Sequence, residues 1–250
     1  SQQLVLRQQR MSRRNDSMSR KFSIVAIRMW YLLLLGMAGT ARADEPRSLG
    51  ALSEKYESSG RGPATVSNGV GDPGGVSYGT YQLASKFGRA DQFVRKYYPQ
   101  EFKGLHGGTP EFTRKWKALA AADPAGLRQN EHRFIKQTHY DPQVKKLARD
   151  LMLDVNQRSA AFRDAVWSTA VQHGPNTDVI VVAAKSLSAD NRGLAQISDR
   201  EFLRAIYAER GRKTAAGKLA RFPGVADNWI PALTKRFQNE LQDALDMLAP

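Results

Sequence analysis

The 250-residue sequence contains no cysteine. No disulfide can hold its fold together, no thiol can serve as a nucleophile, and thiolate metal sites are excluded. Histidine is scarce: His106, His132, His139 and His173 show neither His-x-x-x-His nor Glu-x-x-His spacing, so no zinc pattern is present. No glycine loop ends in Gly-Lys-Ser or Gly-Lys-Thr, which removes the commonest nucleotide-phosphate signal. The sequence calls for no metal and no organic cofactor. Stability must come from packing.

Long apolar runs are missing as well. The substantial apolar block, Met29 to Ala38, is only ten residues, where a membrane-spanning helix needs ~20. A basic lead (Arg13, Arg14, Arg20, Lys21) precedes it and Ala41-Arg42-Ala43 follows as a small-x-small cleavage site. Residues 1–43 therefore read as a leader with a secretory signal peptide, and residues 44–250 as one exported domain without a stable membrane anchor after cleavage. The expected location is the periplasm or the exterior.

Positive charge is what the chain has in excess, with 38 Lys and Arg against 24 Asp and Glu and a formal net charge of +14. The first 43 residues hold eight of the cations and one Asp, so half of the excess leaves with the leader. A basic exported protein is drawn to anionic surfaces, among them the bacterial wall. The cations are scattered without regularly interleaved aromatics, which argues against nucleic acid as partner.

Beyond Ser48 the punctuation is mostly helical. Ser48 is placed to cap a helix over 49–58 that Gly60 stops. Helical period is lost over 65–83, where Asn-Gly and Asp-Pro-Gly-Gly turns separate Val66–Val70 from Val76–Leu83; this predicts a two- or three-stranded sheet. Helices follow over 91–98, from Thr109-Pro110 and Asp123-Pro124 onward, over 142–155 and 160–172, after a Ser198-x-x-Glu201 capping box, and over 228–248. Phe162, Val166, Trp167 and Ala170 are placed for burial. The expected class is α+β, mainly α, with a small antiparallel β insert near its beginning.

Three carboxylates stand out. Glu57 lies in the last turn of its helix beside Tyr56, where the helix dipole and partial burial favour the protonated form a general acid needs. Asp72 sits in the turn Gly71-Asp72-Pro73-Gly74-Gly75, either as a turn residue bonding its own backbone or as a catalytic partner. Asp91 opens the next helix as its cap or as that partner instead. Two carboxyls facing across a cleft are what glycosidic hydrolysis requires: one proton donor, and one to manage water or the oxocarbenium charge. Tyr78, Tyr81 and Gln82, in a glycine-rich strand, are candidates for stacking on sugars and bonding hydroxyls, with core packing as the other reading of the tyrosines. His173 ends a helix, as a C-terminal cation or a substrate contact.

Tyr56-Glu57-Ser58, the run Gly71-Asp72-Pro73-Gly74-Gly75-Val76-Ser77-Tyr78-Gly79-Thr80-Tyr81-Gln82-Leu83 and Val171-Gln172-His173-Gly174-Pro175 resemble the lysozyme-like peptidoglycan-hydrolase (muramidase) domain. That domain occurs on some type VI secretion spike proteins, in secreted antibacterial effectors and in phage lysins, and is distantly similar to chitosanases. The resemblance covers roughly residues 49–248, with its specific part between Tyr56 and Asp91. It implies a two-lobed lysozyme-like fold with the glycan cleft between a β region and a helical lobe, Glu57 as general acid and Asp72 as second carboxylate; the chitosanase pattern points to Asp91 instead. The implied partner is peptidoglycan glycan strands, with an immunity protein or envelope secretion machinery beside them. A lytic transglycosylase, a chitosanase and a non-catalytic wall-binding protein are the competing outcomes on the same fold.

Overall fold

The computed structural model describes residues 49–57, 62–70, 74–188 and 193–248, and for Glu57 the backbone alone. The expected leader, Ser48 and Asp72 lie outside the described residues. The elements are α1 (Ala51–Glu57), β1 (Ser77–Tyr78), β2 (Leu83–Ala84), α2 (Arg89–Tyr97), α3 (Pro110–Ala122), α4 (Pro124–Ile135), α5 (Asp141–Leu151), α6 (Ala160–His173), α7 (Val179–Leu187), α8 (Asp199–Arg210) and α9 (Ile230–Asp246). The molecule is mainly helical with one small antiparallel sheet, as the sequence leads one to expect.

The local signals work where the chain caps itself. Thr109 and Asp123 accept the N–H groups of Phe112 and Gly126, each with a proline at the next position, and Ser198 with Glu201 forms a complete capping box. Asp91 departs from expectation. Helix α2 begins at Arg89 with left-handed Gly88 as its cap, and Asp91 lies inside the first turn. Between α4 and α5 the rod does not stop; a π-helical turn over Lys136–Tyr140 joins them, with the Asp141 N–H reaching back to the Lys136 carbonyl. Pro142 follows without an N–H to give, so the ladder is already interrupted there.

The segment Val76–Leu83, expected as one strand, is folded back on itself. Ser77 pairs with Ala84 and Tyr78 with Leu83 across a tight turn at Gly79–Gln82, and Val66 bridges the outer side of Tyr78. Gly79 and Gln82 adopt positive φ values of 78° and 49°. Strand alternation foresees neither.

Helix α6 is the central element, with 11 of its 14 residues buried, so that other elements pack on it from all sides. On one side Phe162, Val166 and Trp167 join a core containing Tyr78, Phe93, Phe112, Trp116 and Phe134; on another, Ala161 and Ala165 join Leu52, Leu203, Phe222, Leu233 and Phe237. Several of its polar residues find partners on neighbouring helices. Ser168 donates to Glu240 on α9; Arg210 on α8 grips both Glu240 oxygens (3.0 and 3.2 Å) and reaches Gln172; Tyr207 donates to Glu240 at 3.2 Å. Burial works against the Glu240 carboxylate, but Arg210 and Arg236 hold its pKa below the usual range. Removing one member of such a buried pair typically costs about 3–5 kcal/mol. Glu240→Gln should lower unfolding stability in urea by that order, because Arg210 would keep its charge in a site with no exposure; a loss under about 1 kcal/mol would show that the pair contributes little.

Candidate functional site

The short helix α1 carries Glu57 at its C-terminal end, and three sets of contacts fix it. At its start the N–H groups of Gly50 and Leu52 both donate to the Asp164 carboxylate on α6, the latter at 2.8 Å. Gly50 stands against the face of Trp167, where a side chain would meet the indole at 3.0 Å. In its middle, Glu54 pairs with Arg128 on α4 and accepts from the Tyr81 hydroxyl at 3.2 Å, which also meets His132 Nδ1 at 3.1 Å. Near its end, Tyr56 and Lys55 both bond the Asp243 carboxylate of α9 at 2.6 Å, and the Arg236 guanidinium lies 5.6 Å from the centre of the Tyr56 ring. Glu57 follows at once, one turn beyond the seam at which Glu54 of α1 meets Tyr81 of the hairpin.

The hairpin forms the other side of the seam. Gly79 donates to Thr65 at 2.7 Å, Ser85 to Val76 and Lys86 to Gly74, both at 2.9 Å, so β2 is tied to the chain two residues beyond Asp72. Tyr78 is fully buried between Phe112 and Trp116, its hydroxyl accepting from Gly108 N at 3.0 Å and bonding Thr113. Tyr81 is 4 % exposed, and Gln82, at 6 %, gives its side-chain amide to the Gly79 carbonyl at 2.8 Å. All three belong to the inner structure of the β region. Asp91 turns away to accept the Gly107 N–H with both oxygens at 3.2 Å, beside His106 at 3.7 Å, and so ties down the 104–108 loop.

His173 is enclosed by Phe222 and Phe237, with ring centres at 4.7 and 6.4 Å. Burial, reinforced by Arg210, Arg221 and Arg236, pushes its pKa well below the ordinary value, so it is a neutral core residue and not a helix C-terminal cation. The Tyr81 hydroxyl thus ties α1 to the hairpin at Glu54, while His173 lies in the helical lobe.

Several groups that matter here escape the sequence reading. Asp164 has a signal in retrospect: a lone carboxylate inside the apolar run of α6. Glu54 stands one turn before Glu57, a spacing that places both on one helix flank. Glu131 occupies the apolar face of α4 with Leu127, Phe134 and Ile135. A cavity of about 380 Å³ lies at the opposite end of α1 from Glu57, lined by Leu49, Lys136, Tyr140, Arg163, Asp164 and Met247 among others. Along the helix axis the two ends are ~10 Å apart. Among the described residues no group of three or more His, Asp or Glu is arranged to hold a metal ion.

Residues 49–241 match the family described as "Type VI secretion system spike protein VgrG3-like, C-terminal", and the chain belongs to that family. It is 43 % identical over 201 residues to the type VI secretion system spike protein VgrG3 of Vibrio cholerae serotype O1 (strain ATCC 39315 / El Tor Inaba N16961). The match takes in 80 % of this chain but 19 % of that relative, so the chain spans about a fifth of the spike protein. Among the described residues no helix is long and apolar enough to cross a membrane.

Burial pushes the Asp164 carboxyl up to about 6, against the pull of the N–H groups it accepts. A folded-state value above the unfolded one (~3.9) means that stability is fully present below about pH 4 and is lost as pH rises through 6. Asp164→Asn takes up no proton there. Thermal unfolding at pH 4, 5, 6 and 7 should show the gap between wild type and Asp164→Asn shifting in favour of Asn up to about pH 6 and level beyond it. A gap independent of pH would contradict this assignment. Asp164→Ala, which leaves the start of α1 without its acceptor, should cost about 0.5–2 kcal/mol.

Proposed function

We propose that this chain is an exported glycoside hydrolase that cleaves the β-1,4 bond between N-acetylmuramic acid and N-acetylglucosamine in peptidoglycan. Glu57 gives its proton to the bridging oxygen as the C1–O bond breaks. Asp72 takes a proton from the water that adds to C1, or first stabilises the positive charge there. The observation that carries this reading is the family match over 49–241, which contains Glu57 at the end of a helix held on three sides and the glycine-rich hairpin packed beside it. Asp91 is the second choice as partner. Its engagement with Gly107 supports Asp72.

In this reading Tyr78, Tyr81 and Gln82 serve the substrate by keeping the β wall in shape from behind, and His173 by packing the lobe under α9. Residues 1–43 deliver the domain to the periplasm or exterior, and its remaining positive charge holds it on the anionic wall. Kinship with a spike protein supports a place beside secretion machinery and an antibacterial use, with an immunity protein as the partner that protects the producer.

Digestion of purified sacculi, with end groups identified by mass spectrometry, tests the reading. The wild type should release muropeptides with reducing muramic ends. Glu57→Gln should lower the rate by at least about a hundredfold, the scale of lost general acid catalysis, and Asp72→Asn by a comparable factor. Full activity of Glu57→Gln would remove the catalytic assignment; 1,6-anhydro ends would identify a lytic transglycosylase; binding to sacculi without turnover would identify a wall-binding protein.

A further inference from the structure

Glu131 is a carboxyl with no exposure, set on α4 among apolar neighbours. Arg128, one turn earlier on the same helix, pairs with Glu54 instead. What Glu131 holds is backbone: the Thr80 N–H lies 3.0 and 3.3 Å from its two oxygens. Gly79 rests directly on it. A side chain there would put a Cβ 1.6 Å from Glu131 Oε1 and 2.9 Å from Trp116, in a backbone conformation that already favours glycine. The turn is stitched on its other side to Thr65, and its carbonyl at Gly79 receives both Gln82 amides. One buried acid on the helical lobe therefore meets the turn from which both strands run.

We propose that Glu131 is a positioning residue for the cleft: its carboxyl seats the Gly79–Gln82 turn on the helical lobe and, through β1 and β2, holds the chain at Gly74, which follows Asp72 by two residues in the sequence. The link to catalysis rests on the hydrolase reading, whereas the seating of the turn does not. The chemistry favours a neutral acid in this place, since an anion here has no buried counter-ion to repay its desolvation. Burial pushes the carboxyl up to about 8, with the Thr80 hydroxyl and N–H opposing. The charged groups facing it are Glu54 from α1, which adds to the rise, and Arg128 from α4, which reduces it; Tyr98, just beyond α2, is the other titratable neighbour.

Because the folded-state value lies above the unfolded one (~4.3), the seat is firmest below that pH and weakens about tenfold per unit as pH rises toward 8, then levels off. Glu131→Gln keeps the size and the acceptor but has no proton to lose. Hydrogen exchange of the 74–85 segment, corrected for intrinsic rates, should show its opening constant rising about tenfold per pH unit from 5 to 8 in the wild type and staying level in Glu131→Gln. On sacculi, Glu131→Gln should match the wild type at pH 6 and keep a larger share of its activity at pH 9. In the wild type alone, the Thr80 amide resonance should titrate with a midpoint far above that of an ordinary glutamate. Parallel pH courses in the two proteins, loss of protection in Glu131→Gln at every pH, or a Thr80 resonance unchanged from pH 5 to 9 would each overturn the proposal. The exchange and resonance measurements decide the seat even if sacculi are not digested; turnover with parallel exchange would sink this inference and leave the hydrolase reading standing.

Discussion

Helix α6 has almost no solvent side, and three of its buried polar side chains are answered from other elements, whereas Thr169 Oγ1 and Trp167 Nε1 have no hydrogen-bond partner among the described residues. A buried hydrogen-bonding group left alone costs ~1–3 kcal/mol, so these answers fix geometry as well as stability. Asp164 is satisfied by the start of α1, Ser168 by Glu240 of α9, and Gln172 by Arg210 of α8. Three neighbouring helices are thereby set in place by three residues spaced along one face of a single helix. The apolar cores on either side of α6 fill in around that frame.

The placement of Glu57 follows from the same frame. Its helix is only seven residues long, too short to be stable by itself, so it depends on tertiary contacts. Those contacts come from three directions: Asp164 at the start, Tyr81 and Arg128 in the middle, Asp243 at the end. The hairpin is held with equal care, by Thr65 outside and Glu131 beneath. A general acid gains from such rigidity, because proton transfer demands a donor already in position. Charge carries less of the argument. Some of the cations are taken up in ion pairs such as Arg221 with Asp178 and Glu209, and the basic excess bears on attraction to anionic surfaces.

The local rules of the chain were legible in the sequence: caps at Thr109, Asp123 and Ser198, glycine turns around the β insert, and the burial of Phe162, Val166, Trp167 and Ala170. What was not legible depends on partners far away along the chain. The turn at Gly79–Gln82 finds an acceptor for its Thr80 N–H in Glu131, 51 residues away. The donors at the start of α1 find Asp164, 112 residues from Leu52. His173 reads as a helix-end cation until Phe222 and Phe237 enclose it. The helix Val179–Leu187 carries apolar residues without a strong period, because it too is largely buried. In the proposed site, Glu57 could be put forward as general acid from its place at a helix end before a glycine hairpin. The residues that hold it could not, since a side chain's bonds across the fold leave no local spacing to read.

The most direct test is where a glycan settles. An amide chemical-shift titration of the Glu57→Gln protein with a soluble peptidoglycan tetrasaccharide should perturb the end of α1 and the segment from Thr65 to Ala84, and leave Leu49, Lys136, Arg163 and Met247 unmoved. Shifts centred on the cavity at the far end of α1 instead, or no shifts at saturating sugar, would contradict the cleft proposed for this domain.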